Sequence, residues 1–203
     1  MITALLPTAL MAVALSLTVV RPVDADTRSA PPTIDPTVAG TARSIADELQ
    51  TQLGQKLKAA LNSEGPIGAV SVCKEFAPAI AKNLSSQHGV QVTRVGTRVR
   101  NEQMGTPNNW QQAALRQFEE RLAQGENPAT MEYWQTVETG HGQRALHYAR
   151  AITVQPMCLT CHGQAQDIAA PLLAKIKQAY PEDQATGYSV GKLRGAIVVT
   201  RPL

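Results

Sequence analysis

The sequence predicts an α+β domain: an antiparallel sheet flanked by helices, with further helices on the N-terminal side. Three observations carry this. Ile45, Leu49, Leu53, Leu57 and Leu61 recur at steps of four, the apolar stripe of an amphipathic helix. Residues 131–137 and 144–154 read as strands joined at Thr139-Gly140-His141-Gly142, a hairpin turn by composition. Residues 193–200 form a last strand, and 196–199 are apolar enough for a central position. No internal repeat is present, and this mixture is not the all-helical pattern of a small soluble electron carrier.

The remaining elements follow in order. Residues 26–40 are rich in Pro, Thr and Ser and read as a linker before a domain spanning 41–203. Ser63-Glu64-Gly65-Pro66 breaks the first helix, with Pro66 placed to start the next. That second helix, 66–76, carries Ile67, Val70, Cys73, Phe76 and Ala77 at steps of three and four, so Cys73 is expected to face inward. Pro78 kinks or restarts it, and Gln87-His88-Gly89 ends it. Residues 90–99 read as a strand with Arg94, Arg98 and Arg100 on one face. Residues 101–109 form a loop, and Trp110, Leu115, Phe118 and Leu122 define a helix. Residues 168–180 form a helix with Pro171 in its first turn. Trp110, Phe118, Phe76 and Trp134 read as packing residues.

The 203 residues favour one domain or at most two small ones. Residues 2–20 carry no charge, and Val23-Asp24-Ala25 offers a cleavage site, so residues 1–25 read as a signal peptide. No Lys or Arg precedes the apolar run, so an uncleaved membrane anchor is the rival reading. Export places the protein in the periplasm or another extracytoplasmic space, with membrane contact only if the leader is retained. Cleavage removes Arg21 and Asp24 together, so the formal net charge of +3 is unchanged. That excess is too small to indicate a nucleic-acid partner.

Cys158-Leu159-Thr160-Cys161-His162 is an attachment sequence for c-type haem. Both sulfurs add to the porphyrin edge, and His162 turns under the iron. Zinc held with Cys73 is a rival, weakened because Cys161 and His162 are adjacent and structural zinc takes separated ligand pairs. A thioredoxin-like dithiol is another rival. Cys73 is the odd one of three cysteines, which in an exported chain needs an explanation. The residue opposite His162 stays open among Cys73, Met104, Met131, Met157, His88, His141 and His147. Arg94, Arg98 and Arg100 are candidate partners for haem propionates, with Arg194 sharing their ambiguity. No nucleophile–base pair, phosphate loop or paired carboxylate points to an enzyme.

An ordered set of short runs adds to this. Cys73-Lys74-Glu75-x-Ala77-Pro78 is followed by Arg94, Arg100-Asn101 and Trp110. Then come Cys158-Leu159-x-Cys161-His162-Gly163 and Tyr180-Pro181-x-Asp183-x-Ala185-x-Gly187-Tyr188, and finally Gly191-x-Leu193-Arg194-Gly195. With this order the chain resembles the Tll-type haem-domain family of PAS-like c-type haem proteins over residues 41–203. The resemblance implies a PAS-like fold, one haem c attached through Cys158 and Cys161, and His162 and Cys73 as axial iron ligands. The chain departs from the family at Asn101-Glu102-Gln103-Met104-Gly105-Thr106-Pro107 and at Gln111, where Asn-Pro-x-Asn-x-Pro and a Glu after Trp are usual.

The function expected is that of an exported monohaem protein acting as a redox or small-ligand sensor through a redox or signalling partner. An extracytoplasmic electron-transfer cytochrome is the alternative. A thiolate ligand stabilises ferric iron, so reduction is expected to release Cys73 and free an iron position for a gas such as CO or NO. Joining Cys73 to Cys158 closes a loop of about 85 residues, an entropic cost of about 4 kcal/mol that packing around the early helices must offset.

Overall fold

The computed structural model describes residues 36–140 and 142–203. The chain divides into units Met1–Pro32 and Thr33–Leu203, and the described residues all belong to the second. The leader, the start of the linker and His141 lie outside the described residues. Among those described, no helix is long and apolar enough to cross a membrane.

Helix α1 spans Pro36–Ser71 and is interrupted at Gly65, whose φ of 68° is left-handed backbone that glycine tolerates without strain. Residues 36–40, assigned to the linker by composition, are helical. Ala39 and Ala42 extend the apolar stripe and are buried, and Pro36 suits the first helical position, where the helix needs no N–H from it. The stripe then does two jobs. Ala42, Ile45, Ala46 and Leu49 are almost fully buried against the sheet. Leu53, Leu57 and Leu61 instead pack with Ala60, Ala69 and Val72, so the two arms of α1 meet across the Gly65 break.

A five-residue π-turn, Val72–Phe76, leads into α2, Ala77–His88. The Ala77 N–H bonds back to Val72 O, five residues away, and Pro78 has no N–H to offer a regular turn. The extra residue rotates the following side chains. Phe76 (39% exposed), at the end of the turn, therefore faces solvent instead of the core, as does Ile67 (45%) ahead of it, while Ala69, Val72 and Ala77 are buried. Gly89, at φ 63°, closes α2 where the sequence places its end.

Four strands form one antiparallel sheet in the order β1-β4-β3-β2. They are β1 (Gln91–Gly96), β2 (Glu132–Gly140), β3 (Gln143–Thr153) and β4 (Leu193–Pro202). β4 is internal, as its apolar run predicts, and pairs β1 and β3. One face packs on α1 and α2 through Val92, Leu146, Tyr148, Ile197 and Val199. The other packs on α4 (Asn109–Ala123) through Ala114, Leu115 and Phe118. The α+β class and the flanked antiparallel sheet are those the sequence predicts.

Differences lie in the connections. The predicted loop 101–109 contains one helical turn, α3 (Glu102–Gly105). Gln111, a departure from the family pattern, caps α4: its side chain accepts the Asn108 N–H at 2.9 Å, and Asn108 Oδ1 accepts the Gln111 N–H at 3.1 Å. Glutamine and glutamate serve this box alike. α1 is tied to the sheet by the bidentate Arg43–Glu132 pair, 2.7 Å on both arms, and by Asp47 with Arg150.

Candidate functional site

Three strand ends meet at one end of the sheet, where Gly96 pairs Gly195 and Thr153 pairs Leu193. The pentad follows directly from β3. Cys158 closes a 3-10 turn, Pro156–Cys158, and Leu159–His162 form the single turn α5. Cys158 and Cys161 are three apart across this turn and therefore project to the same side. All three cysteines are free and partly exposed. Beyond the pentad, α6 (Ala170–Ala179) closes over it through Ile168, Leu172, Ile176 and Tyr180, which cluster with Val70 and Cys161.

His162 is held by backbone. Its Nδ1 lies 2.6 Å from Ala185 O; a carbonyl only accepts, so Nδ1 carries the proton and Nε2 is left with a free lone pair. Burial, with Arg194, Arg100 and Arg94 nearby, pushes its pKa down to about 2, and the Ala185 bond offsets this only in part. The ring is therefore neutral, the form that binds metal. The His162 and Gly163 carbonyls accept N–H bonds from Tyr188 and Gly187, pinning α5 to the 181–191 loop.

A buried ion pair fixes that loop in turn. Arg100 and Asp183 have side chains 9% and 6% exposed and meet at 3.0 Å. Arg100 also donates to Cys161 O at 2.6 Å, and Asp183 Oδ1 accepts the Ala185 N–H at 2.8 Å. A continuous path thus runs from Arg100 through Asp183 and Ala185 to the His162 ring. Tyr188 adds the last constraint: its ring meets His162 edge-on, centroids 6.3 Å apart, and its hydroxyl accepts the Arg98 N–H at 3.0 Å.

Cys73 sits on the π-turn. Burial pushes the Cys161 thiol above its usual range; Arg100 opposes this, while Cys73 and Cys158 add to it, so each of those two sulfurs stands within electrostatic reach of Cys161. Tyr180 is raised to about 12 by burial and next by Cys73. The other candidates are occupied elsewhere. Met131 is fully buried against α4, and His147 stacks on Trp110 with centroids 4.7 Å apart. His88 meets Glu48 at 3.4 Å, and Met104 and Met157 are exposed.

The arginines do not share one strand face. β1 ends at Gly96, so only Arg94 is on the sheet, and Arg98 and Arg100 enter from the turn beyond it. Arg98 Nη1 donates to Thr186 O at 2.6 Å. Among the described residues, no three His, Cys, Asp or Glu side chains are gathered to hold a metal ion, so the zinc arrangement is not assembled. The pentad follows an antiparallel strand and opens no long helix, which removes the helix terminus a thioredoxin-like dithiol relies on. Asp183, Ala185 and Tyr188 are the residues that sequence reasoning leaves without a role. Their only sequence signal is their place in the run from Tyr180 to Tyr188.

The sequence model of the Tll0287-like family matches residues 27–202. Among solved structures, the chain is similar to the crystal structure of the cyanobacterial heme-protein Tll0287. The TM-score is 0.63 at 28% identity, covering 83% of this chain and 96% of that one. No curated protein matches.

Proposed function

Because the chain belongs to the Tll0287-like family, we propose that it is an exported c-type haem protein that senses redox state or a small iron ligand. Cys158 and Cys161 would hold one haem through thioethers, and His162 Nε2 and Cys73 Sγ would bind its iron. The observation that carries this is the neutral His162 ring, aimed by Ala185 so that its metal-binding nitrogen is bare, one residue after a pair of same-side cysteines. The similar solved structure is that of a heme protein, which supports the same reading.

When bound, haem supplies one-electron chemistry and, where an axial ligand leaves, a position for a diatomic gas. The chain's own residues divide the remaining work. Ala185 O holds the Nδ1 proton and fixes the imidazole plane, as such outer partners do for metal-bound histidines. Cys73 ligates as thiolate, its proton lost on coordination. The π-turn carrying it is the element free to move, since such turns are local defects in helical hydrogen bonding. Cys73 is thus the residue whose release from a reduced iron would shift the return arm of α1, a movement that a redox or signalling partner outside the cytoplasm would read.

Expression with a c-type haem maturation system tests the reading. A pyridine haemochrome of one haem c per chain is expected, with a ferric spectrum that changes in Cys73→Ala. Absence of haem overturns the proposal, and an unchanged spectrum in the variant removes Cys73 as a ligand. A ligand set identical in both oxidation states favours plain electron transfer.

A further inference from the structure

We propose that Arg94 and Arg194 are the binding pair for the two haem propionates, while Arg98 and Arg100 serve the protein itself. The proposal rests on the haem reading above and names the groups that anchor the polar edge of the ring.

Local backbone geometry brings the pair together. Ala196 and Val198 pack toward α4, and regular alternation would turn Leu193 the other way; yet Leu193 lies in that same cluster. The alternation breaks at Gly195, φ 156°, where the β3 register shifts between Ile152 and Thr153. Bulges of this kind re-aim side chains beside functional sites. Here Arg194 is sent to the opposite face. A Cβ on Gly96 would stand 2.8 Å from Arg194 Nη1, so the guanidinium lies flat against β1 at that glycine. Arg94 is two residues earlier on the same face, opposite Ile197. Two paired glycines and a bulge thus make room for one arginine beside another, an arrangement that like charges resist unless an anion joins them.

The hydrogen bonds sort the four arginines. Arg100 is engaged by Asp183 and the Cys161 carbonyl, while Arg98 is exposed, donating from Nη1 to the Thr186 carbonyl and lying over the Tyr188 ring, 5.1 Å from its centroid. Arg194, less exposed than Arg98, likewise lies over the Tyr188 ring, at 5.3 Å, and has one side-chain hydrogen bond among the described residues, from Nη1 to Arg98 O at 3.0 Å. Arg94 has no hydrogen bond or ion pair among them. Arg194 thus has Arg94 and Arg100 within electrostatic reach, and the carboxylate near it, Asp183, is already occupied by Arg100. Partly buried positive charge of this kind calls for anionic partners, and arginine forks match carboxylates in pairs. The field of Arg194, Arg100 and Arg94 reaches His162, so groups bound there sit beside the proximal ligand.

The test uses holoprotein purified after co-expression with the maturation system. Resonance Raman spectra report the propionate bending band directly. Arg94→Gln and Arg194→Gln are each expected to shift that band, with Arg94→Lys and Arg194→Lys restoring part of the parent position, and Arg98→Gln leaving it in place. The ferric Soret band of each variant reports that the fold and axial ligands are intact; should Arg194→Gln fail to fold, Arg94→Gln and the lysine variants still decide. A band unmoved by both glutamine variants, or moved equally by Arg98→Gln, overturns the assignment. A wild-type protein with no haemochrome overturns the haem reading beneath it, so the two failures are told apart.

Discussion

The two sides of the site are built differently. On the His162 side, every link is bonded and at least partly buried: Arg100 to Asp183, Asp183 to Ala185, Ala185 to the imidazole, with Tyr188 against the ring edge. On the Cys73 side the support is a π-turn whose neighbours Lys74, Glu75 and Phe76 are exposed. That turn is flanked by clefts of about 530 Å³ (Ser71, Lys74, Lys175) and 470 Å³ (Lys56, Phe76, Ile80). A packed hydrogen-bonded network holds one geometry, whereas a loosely packed helical defect has room for a second. Under the proposed function, this contrast suits the histidine to anchoring and the cysteine to switching.

The largest expected effect breaks the anchored side. Asp183→Ala leaves Arg100 buried without its counter-charge and should cost about 3–5 kcal/mol in urea unfolding, the usual cost of orphaning one member of a buried pair. A loss under 1 kcal/mol would mean that the pair is not holding the loop. Next comes pH. The folded His162 pKa of about 2 lies below its ordinary value, so below pH 6.5 the unfolded chain takes up a proton that the folded chain does not. Stability of the haem-free protein therefore falls as pH drops through 6.5, by about 2 kcal/mol at pH 5 relative to pH 7.5. His162→Gln should flatten that slope. Tyr188→Phe removes only the hydroxyl bonded to Thr97 and the Arg98 N–H, an expected loss of about 1–2 kcal/mol.

On the other side effects on stability should be small. Phe76→Ser, at an exposed position with Lys56 over its ring at 4.3 Å, should change stability by about 0.5 kcal/mol or less. Pro78→Ala returns an N–H to the helix and should shift the ferric spectrum through Cys73 more than it shifts the unfolding midpoint. Equal sensitivity of both sides to substitution would dissolve the contrast.

The sequence made the anchored elements partly legible and the reasons for their rigidity hardly at all. Periodicity located α1, α4 and the strands because a half-buried face must repeat with the backbone. The pentad singled out His162 as a candidate ligand because c-type attachment dictates that spacing. Ala185 carried no such mark: its contribution is a carbonyl, which every residue type has. Arg98 and Arg100 were misplaced onto a strand face because alternation does not show where Gly96 ends the ladder. Pro78 signalled a disturbance near Cys73, but only the backbone shows it as a π-turn that turns Phe76 outward.

Carbon monoxide binding to the reduced holoprotein tests the central contrast most directly. The account predicts that ferrous wild type binds CO at the position Cys73 vacates, with His162 still on the opposite face, and that Cys73→Ala binds it with the same final spectrum. A ferrous protein that keeps its thiolate and excludes CO, or one that loses His162 in place of Cys73, would contradict it.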